Sequence, residues 1–203
     1  NDKEGRAFIT TQSIKKLKAH LKKWALDTEG WKLSGSTKTY DISKLDEMMD
    51  QATPEEKTKI ISKVFYKERW IKENNFEQRL IVTYSIKYRD YQRNIRNAQI
   101  ERAQKIIENN PTKIKKCNAN DYKRFIHKTS YTPDGEIAEK EKYSIDQAII
   151  QKEEAFDGFY GVCTNLEDAV SEIIKVNHRR WEIEECFRIM KSEFKARPVY
   201  LSN

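Results

Sequence analysis

Residues 7–11 read as a short strand, after which Ile14, Leu17, Leu21, Trp24 and Ala25 recur at helical spacing with lysines between them. The pattern predicts a strand followed by a basic helix, with Ser13 placed to cap it. Residues 30–40 carry Gly, Ser and Thr instead of a periodic apolar face, which implies turns or short strands. Thr53-Pro54-Glu55-Glu56 has the form of a helix start, with proline in the first turn and acids behind it. Residues 60–70 and 77–84 are rich in β-branched and aromatic side chains and flank the polar stretch 72–75, so they read as an antiparallel pair. Over residues 88–109 the period changes again, with Tyr91, Ile95, Ala98, Arg102 and Lys105 at helical spacing up to Asn109-Asn110-Pro111.

Tyr131-Thr132-Pro133-Asp134-Gly135 predicts a turn, and Ser144 is a candidate cap for a helix reaching about residue 154. Residues 156–163 are apolar and β-prone, opened by Asp157-Gly158 and closed by Thr164-Asn165, the signature of a buried strand. Asn165 then stands as an N-cap, with Glu167 and Asp168 in the first turn and Val170, Ile173 and Ile174 on the apolar side. The helix is expected to run, with a bend, to about residue 194, and Pro198 stops it. No internal repeat or low-complexity tract breaks this order.

Composition narrows the partners. The chain has 203 residues, enough for one ordinary domain or part of a larger one. Its net charge of +7 and pI near 9.1 favour polyanions, nucleic acid first, because each lysine or arginine that neutralises a phosphate releases a counterion. No apolar run approaches the roughly 20 residues a bilayer requires and no basic-then-apolar leader opens the chain, so a cytosolic, membrane-free protein is expected. It starts at Asn1 and ends at Asn203 without a helix stop, which suggests a fragment. Cys117, Cys163 and Cys186 form no C-x-x-C pair, and His20, His127 and His178 show no ligand spacing, so neither a disulfide framework nor a zinc site is supported. Trp24, Trp31 and Trp70 read as core more readily than as base-stacking residues. The helix carrying Lys87, Arg89, Arg93, Arg96, Arg102 and Lys105 is either a DNA contact or a solvated face.

The candidate chemistry lies on the last helix. At about 100° per residue, Asn177, Arg180, Glu184, Arg188, Lys191 and Lys195 fall in one stripe, a single carboxylate among cations. Ile183, Phe187, Met190 and Phe194 form an adjacent apolar stripe, expected to anchor the helix against a core. By pattern alone, Glu184 is either an i, i+4 partner of Arg180 and Arg188 on a solvated face or a catalytic group.

The segment from Asn177 to Lys191 resembles the signature of insertion-sequence-four-type DDE transposases, Y-x2-R-x3-E-x6-K. Arg180, Glu184 and Lys191 match at the required spacings, and Asn177 takes the tyrosine position. Trp181-Glu182-Ile183-Glu184-Glu185, Phe187-Arg188-Ile189-Met190-Lys191-Ser192, Arg197-Pro198-Val199-Tyr200 and the upstream Asp157-Gly158-Phe159-Tyr160 are similar to the family as well, and a weaker likeness runs through Ile81-Val82-Thr83-Tyr84-Ser85.

The resemblance implies an α+β or α/β architecture: the C-terminal part of an RNase H-like core with a β-rich insertion and long basic helices. Residues 1–29 would be a strand–helix piece of the core, 30–144 the insertion, and 145–203 the last core strand and catalytic helix. It implies metal-dependent DNA cleavage and strand transfer, with Glu184 as the third carboxylate around magnesium or manganese ions and two aspartates lying upstream of this chain. Asp2 and Asp157 are not transferred to those roles. Asn177, Arg180, Arg188 and Lys191 would contact duplex DNA at transposon ends, with a homodimer formed by the full-length protein near the bacterial nucleoid and no small-molecule substrate. The rival expectations are a non-catalytic DNA-binding remnant of a transposase and, from a different class, a helical interaction module whose charge is incidental.

Overall fold

The computed structural model describes residues 6–73, 76–109, 121–131 and 140–193. In chain order it contains β1 (Ile9–Gln12), a 3-10 turn (Ile14–Lys16), α1 (Ala19–Leu26), β2 (Trp31–Leu33) and β3 (Thr39–Tyr40). A second 3-10 turn (Ile42–Lys44) leads into α2 (Leu45–Gln51), then α3 (Pro54–Ile61), the hairpin β4 (Phe65–Glu73) and β5 (Phe76–Tyr84), and the long α4 (Ile86–Asn109). The chain closes with a 3-10 turn (Tyr122–Phe125), β6 (Ile126–Tyr131), β7 (Lys140–Ile145), α5 (Gln147–Glu154), β8 (Phe159–Thr164), α6 (Val170–His178) and α7 (Arg180–Ser192).

Six strands form one sheet in the order β1-β8-β5-β4-β2-β3, and β6 and β7 pair separately. Every pairing among the described strands is antiparallel, which gives a mixed α+β architecture. The sheet takes strands from all three of the expected segments 1–29, 30–144 and 145–203. Successive residues of β5 point to opposite faces. Leu80, Val82 and Tyr84 join Leu17, Leu21, Ala25, Trp31 and Phe65 in the larger core on one side. Ile81 meets Val162, Val170 and Ile173 on the other, under α6. A third cluster, Ala103, Phe125 and Ile150, seats the β6–β7 hairpin and α5 on α4.

Several boundaries differ from the sequence reading. Ser13 makes no side-chain cap bond and heads only the 3-10 turn; Lys18 is extended (φ −56°, ψ 150°), so α1 starts at Ala19, although the expected apolar positions do face the core. Ile60 and Ile61 end α3, which Thr53 and Glu56 open with a reciprocal capping box, and the strand waits for Phe65. Ser144 lies inside β7; Asp146 caps α5 instead, its Oδ1 accepting from the Ile149 amide at 3.1 Å. Asn165 is not an N-cap: it accepts from the Phe8 amide at 3.0 Å and donates to the Arg6 carbonyl at 2.8 Å, and α6 starts five residues on. The turn at 132–135 and the helix stop at Asn110-Pro111 lie outside the described residues.

β5, β8 and α4 are fixed together at the start of β8. Gly158 has φ +83°, and a Cβ there would come within 2.7 Å of Tyr84 Cε2 and 3.1 Å of the Ser85 carbonyl, so only glycine lets this turn press against the β5–α4 junction. Beside it Asp157 and Arg96, each 5% exposed, form a bidentate pair at 2.7 and 2.6 Å, with Arg93 at 3.5 Å from the same carboxylate. Removing one partner of such a buried pair leaves an uncompensated charge. Arg96→Ala is therefore expected to cost about 3 kcal/mol, read as a lower urea midpoint. The double variant R96M/D157L should recover part of that loss, and a single-variant loss below about 1 kcal/mol would show that the pair does not hold the junction.

Candidate active-site cleft

The strand-and-helix pattern places the expected site residues on the α6 side of the sheet. β8 presents Tyr160 and Val162 there, β5 presents Thr83, and β1 presents Thr11 across from β8. The first turn of α4 forms one wall and α6 with the start of α7 the other, enclosing a cleft of about 610 Å³. Asn177, Arg180 and Glu184 all line it, so three of the five expected site positions converge on one surface.

Packing of Val170 and Ile173 on the sheet and a charged anchor at the preceding loop together position α6. It starts without a side-chain cap at Ala169. The loop before it is held by Arg79, whose guanidinium donates to the carbonyls of Asp168 at 2.6 Å and Leu166 at 3.3 Å while also pairing with Glu68. Thr164 Oγ1 reinforces the turn by accepting from the Leu166 amide at 3.1 Å and donating to the Phe8 carbonyl at 2.6 Å.

Within the cleft a polar chain links the elements. Arg180 donates to Thr11 Oγ1; that hydroxyl lies 2.8 Å from the Tyr160 hydroxyl; and Asn177 Nδ2 donates to the Tyr160 hydroxyl at 3.3 Å. Asn177 is 8% exposed, and its Oδ1 is buried without a hydrogen-bond partner among the described residues. Tyr88 packs edge-on against Tyr160 at 6.1 Å and stacks on Tyr91 at 6.3 Å, and burial pushes the Tyr88 hydroxyl pKa up. Glu184 is 72% exposed and sits 3.6 Å from Arg180, a surface pair of small energetic weight.

The remaining expected residues separate from this group. Arg188 turns to Glu185, whose carboxyl it holds below the ordinary range through a side-chain hydrogen bond, and not to Glu184. Lys191 is exposed on α7 beyond the cleft, and Lys195 lies outside the described residues. The basic helix is partly spent on structure: Arg89 pairs with Asp46 at 2.7 Å and Asp90 at 3.1 Å, and Arg96 is buried on Asp157, which leaves Lys87 at the cleft and Arg102 and Lys105 exposed. The apolar stripe of α7 is corrected too. Ile183, Phe187 and Met190 are 60%, 57% and 47% exposed, so among the described residues no core receives this face, and Phe194 lies outside the described residues.

No protein-family model, curated protein or solved structure matches the chain. The transposase resemblance therefore rests on the residues that carry it. A divalent metal does not fit the described residues by themselves: no group of three or more His, Cys, Asp or Glu side chains comes together among them, and Glu184 has an arginine beside it in place of a second carboxylate.

Lys87 belongs to the basic helix already considered as a DNA contact, whereas Tyr88, Tyr91, Tyr160 and Thr11 were not singled out as site residues from the sequence. They come from three elements separated by more than 60 positions, and no periodicity links them; only the Tyr88/Tyr91 spacing, one helical turn, carries a local signal. His178, set aside as a ligand, does line the cleft.

Among the described thiols the surroundings differ sharply. Cys163 is buried in the sheet and desolvation pushes its pKa up to about 11, whereas Cys186 is exposed on α7. Iodoacetamide at pH 8 should alkylate Cys186 within minutes and leave Cys163 unlabelled until denaturant is added, since about one Cys163 in a thousand is thiolate there. Equal labelling of both in peptide mass spectra would contradict the burial of β8.

Proposed function

We propose that this chain is part of a DDE transposase of the insertion-sequence-four type, with an RNase H-like core, acting in metal-dependent cleavage and strand transfer of DNA. The observation that carries the reading is the meeting of Arg180 and Glu184 with Asn177 and Lys87 in one open cleft, at the spacing of the family signature. Cations around such a cleft suit a phosphate backbone, and Arg180, already oriented by Thr11, offers a fixed guanidinium to it. Lys191 adds an exposed cation farther along α7, while Arg188 would have to leave Glu185 to reach a phosphate. Asn177, being buried, contributes through Tyr160 and the cleft wall more than through an exposed contact.

In this reading Glu184 supplies one of three carboxylates around magnesium or manganese, and two aspartates come from outside the described residues. Among the described strands β1 is at the edge of the sheet, and Ile183, Phe187 and Met190 are exposed on α7. The partners are duplex DNA at transposon ends and, for the full-length protein, a second copy in a synaptic homodimer. A second reading, a non-catalytic DNA-binding remnant, is favoured by the pairing of Glu184 with Arg180 and by the absence, among the described residues, of a group of carboxylates around it.

The isolated chain should bind duplex DNA with an affinity that falls steeply between 50 and 200 mM salt, yet neither nick nor join transposon-end DNA with magnesium or manganese. Joined to a segment supplying the two aspartates, it should gain cleavage. Glu184→Gln should then abolish cleavage while sparing binding, and Arg180→Ala or Lys191→Ala should weaken end binding roughly ten-fold as well. Undiminished cleavage by the Glu184→Gln protein refutes the assignment, and strand transfer by the chain alone shows that the aspartates have been misplaced.

A further inference from the structure

The stretch between Ile14 and Trp24 contains five lysines and one histidine and no acid. Its apolar positions Ile14, Leu17, Leu21 and Ala25 are all turned into the larger core, so the lysines take the outward side. Lys15, Lys16, Lys18 and Lys23 are exposed and Lys22 is half-buried, and Arg69, stacked on Trp24 at 5.3 Å, extends the positive surface toward β4. The acids near it are few: Glu73 pairs with Lys18 at 3.3 Å, and Glu153 lies near Lys15 while its main partner is Arg124. Because α1 packs on the Leu80 and Val82 side of the sheet and α6 on the Ile81 side, this surface and the cleft face opposite ways, about 20 Å apart across a helix–sheet–helix sandwich.

We propose that the lysine face formed by Lys15, Lys16, Lys18, Lys22 and Lys23 is a second, sequence-nonspecific binding surface for duplex DNA, so that one chain holds two DNA segments on opposite sides of its sheet. The inference rests on the DNA reading of the cleft only for the first segment. Lysines on a convex surface act as point charges toward phosphates and read no bases, which fits contact with arbitrary sequence. A membrane surface is the poorer fit, since interfacial helices bury an apolar face beside their lysines and here that face is already used inside the protein. An acidic peptide would need anchor pockets, and the groove beside the patch, between Lys18, Leu21 and the Arg69–Glu73 stretch of β4, is only about 220 Å³.

The test is a bridging assay on the whole chain. A 30-base-pair duplex is immobilised, protein is bound to saturation, and retention of a second, fluorescent duplex of unrelated sequence is measured. The wild type should retain it. The variant K15Q/K16Q/K22Q/K23Q, checked for unchanged circular dichroism, should lose retention at least ten-fold and fall from two duplexes per chain to one, and the salt slope of total binding should shrink by about 3. R180A/K191A should also fall to one duplex, the one held by the lysine face. Unchanged bridging by the lysine variant overturns the proposal and leaves the cleft reading standing. Single-duplex binding lost in the lysine variant and untouched in R180A/K191A supports the lysine face and removes the cleft reading. Absence of any duplex binding by the wild type removes both. Tighter binding to vesicles containing phosphatidylserine, or to polyglutamate, than to duplex overturns the assignment to DNA.

Discussion

Six residues of β8 hold together parts of the chain that are otherwise far apart. They pair with β1, about 150 positions earlier, and with β5, about 80 earlier, so the strand closes two long loops at once. Gly161 makes the approach possible: a Cβ there would lie 2.5 Å from the Gln12 carbonyl oxygen. Thr164, the last rung of the ladder, and Asn165, just past it, add side-chain bonds to the backbone of Phe8 and Arg6, so a short edge strand is anchored beyond its four paired positions. The cleft inherits this arrangement, because Thr11 and Tyr160 meet only when β1 and β8 are in register.

Much of this was legible from pattern. The β4–β5 pair, α4 and β8 have strong periodic or β-prone signals, and Arg180 and Glu184 share a cleft as their spacing requires. The β6–β7 hairpin was not foreseen, since His127, Lys128, Thr129 and Ser130 show no apolar alternation and the strand is formed by pairing, not by a buried face. Ser144 and Asn165 misled for a different reason: a capping residue type announces that a helix start is affordable, and tertiary bonds decide which candidate is used. The stripe of Ile183, Phe187 and Met190 shows the remaining limit. Periodicity says which side chains share a face and nothing about what stands opposite it.

The positive charge is divided by side-chain chemistry. Arg79, Arg89, Arg96 and Arg124 each engage a carboxylate inside or at the edge of the fold, on Glu68, Asp46, Asp157 and Glu153. Planar forks suit such fixed, partly desolvated partners, and the strongly hydrated ammonium groups are left on the outside. The net charge available to a partner is therefore carried largely by lysines, on both sides of the sheet.

The bend at Arg179 divides α6 from α7, with backbone angles of −74° and −4°. Treated as a pivot, it makes α7 a lever. Lys191 stands 12 residues out, about 18 Å along the axis, and Glu184 about 7.5 Å. A swing of about 10° moves Lys191 by about 3 Å but Glu184 by little more than 1 Å. Arg180, one step from the pivot and bonded to Thr11, scarcely moves at all. The carboxylate and its neighbouring guanidinium thus keep their aim while the far cation sweeps an arc, so the outer end of the helix can follow an irregular backbone without disturbing the inner one.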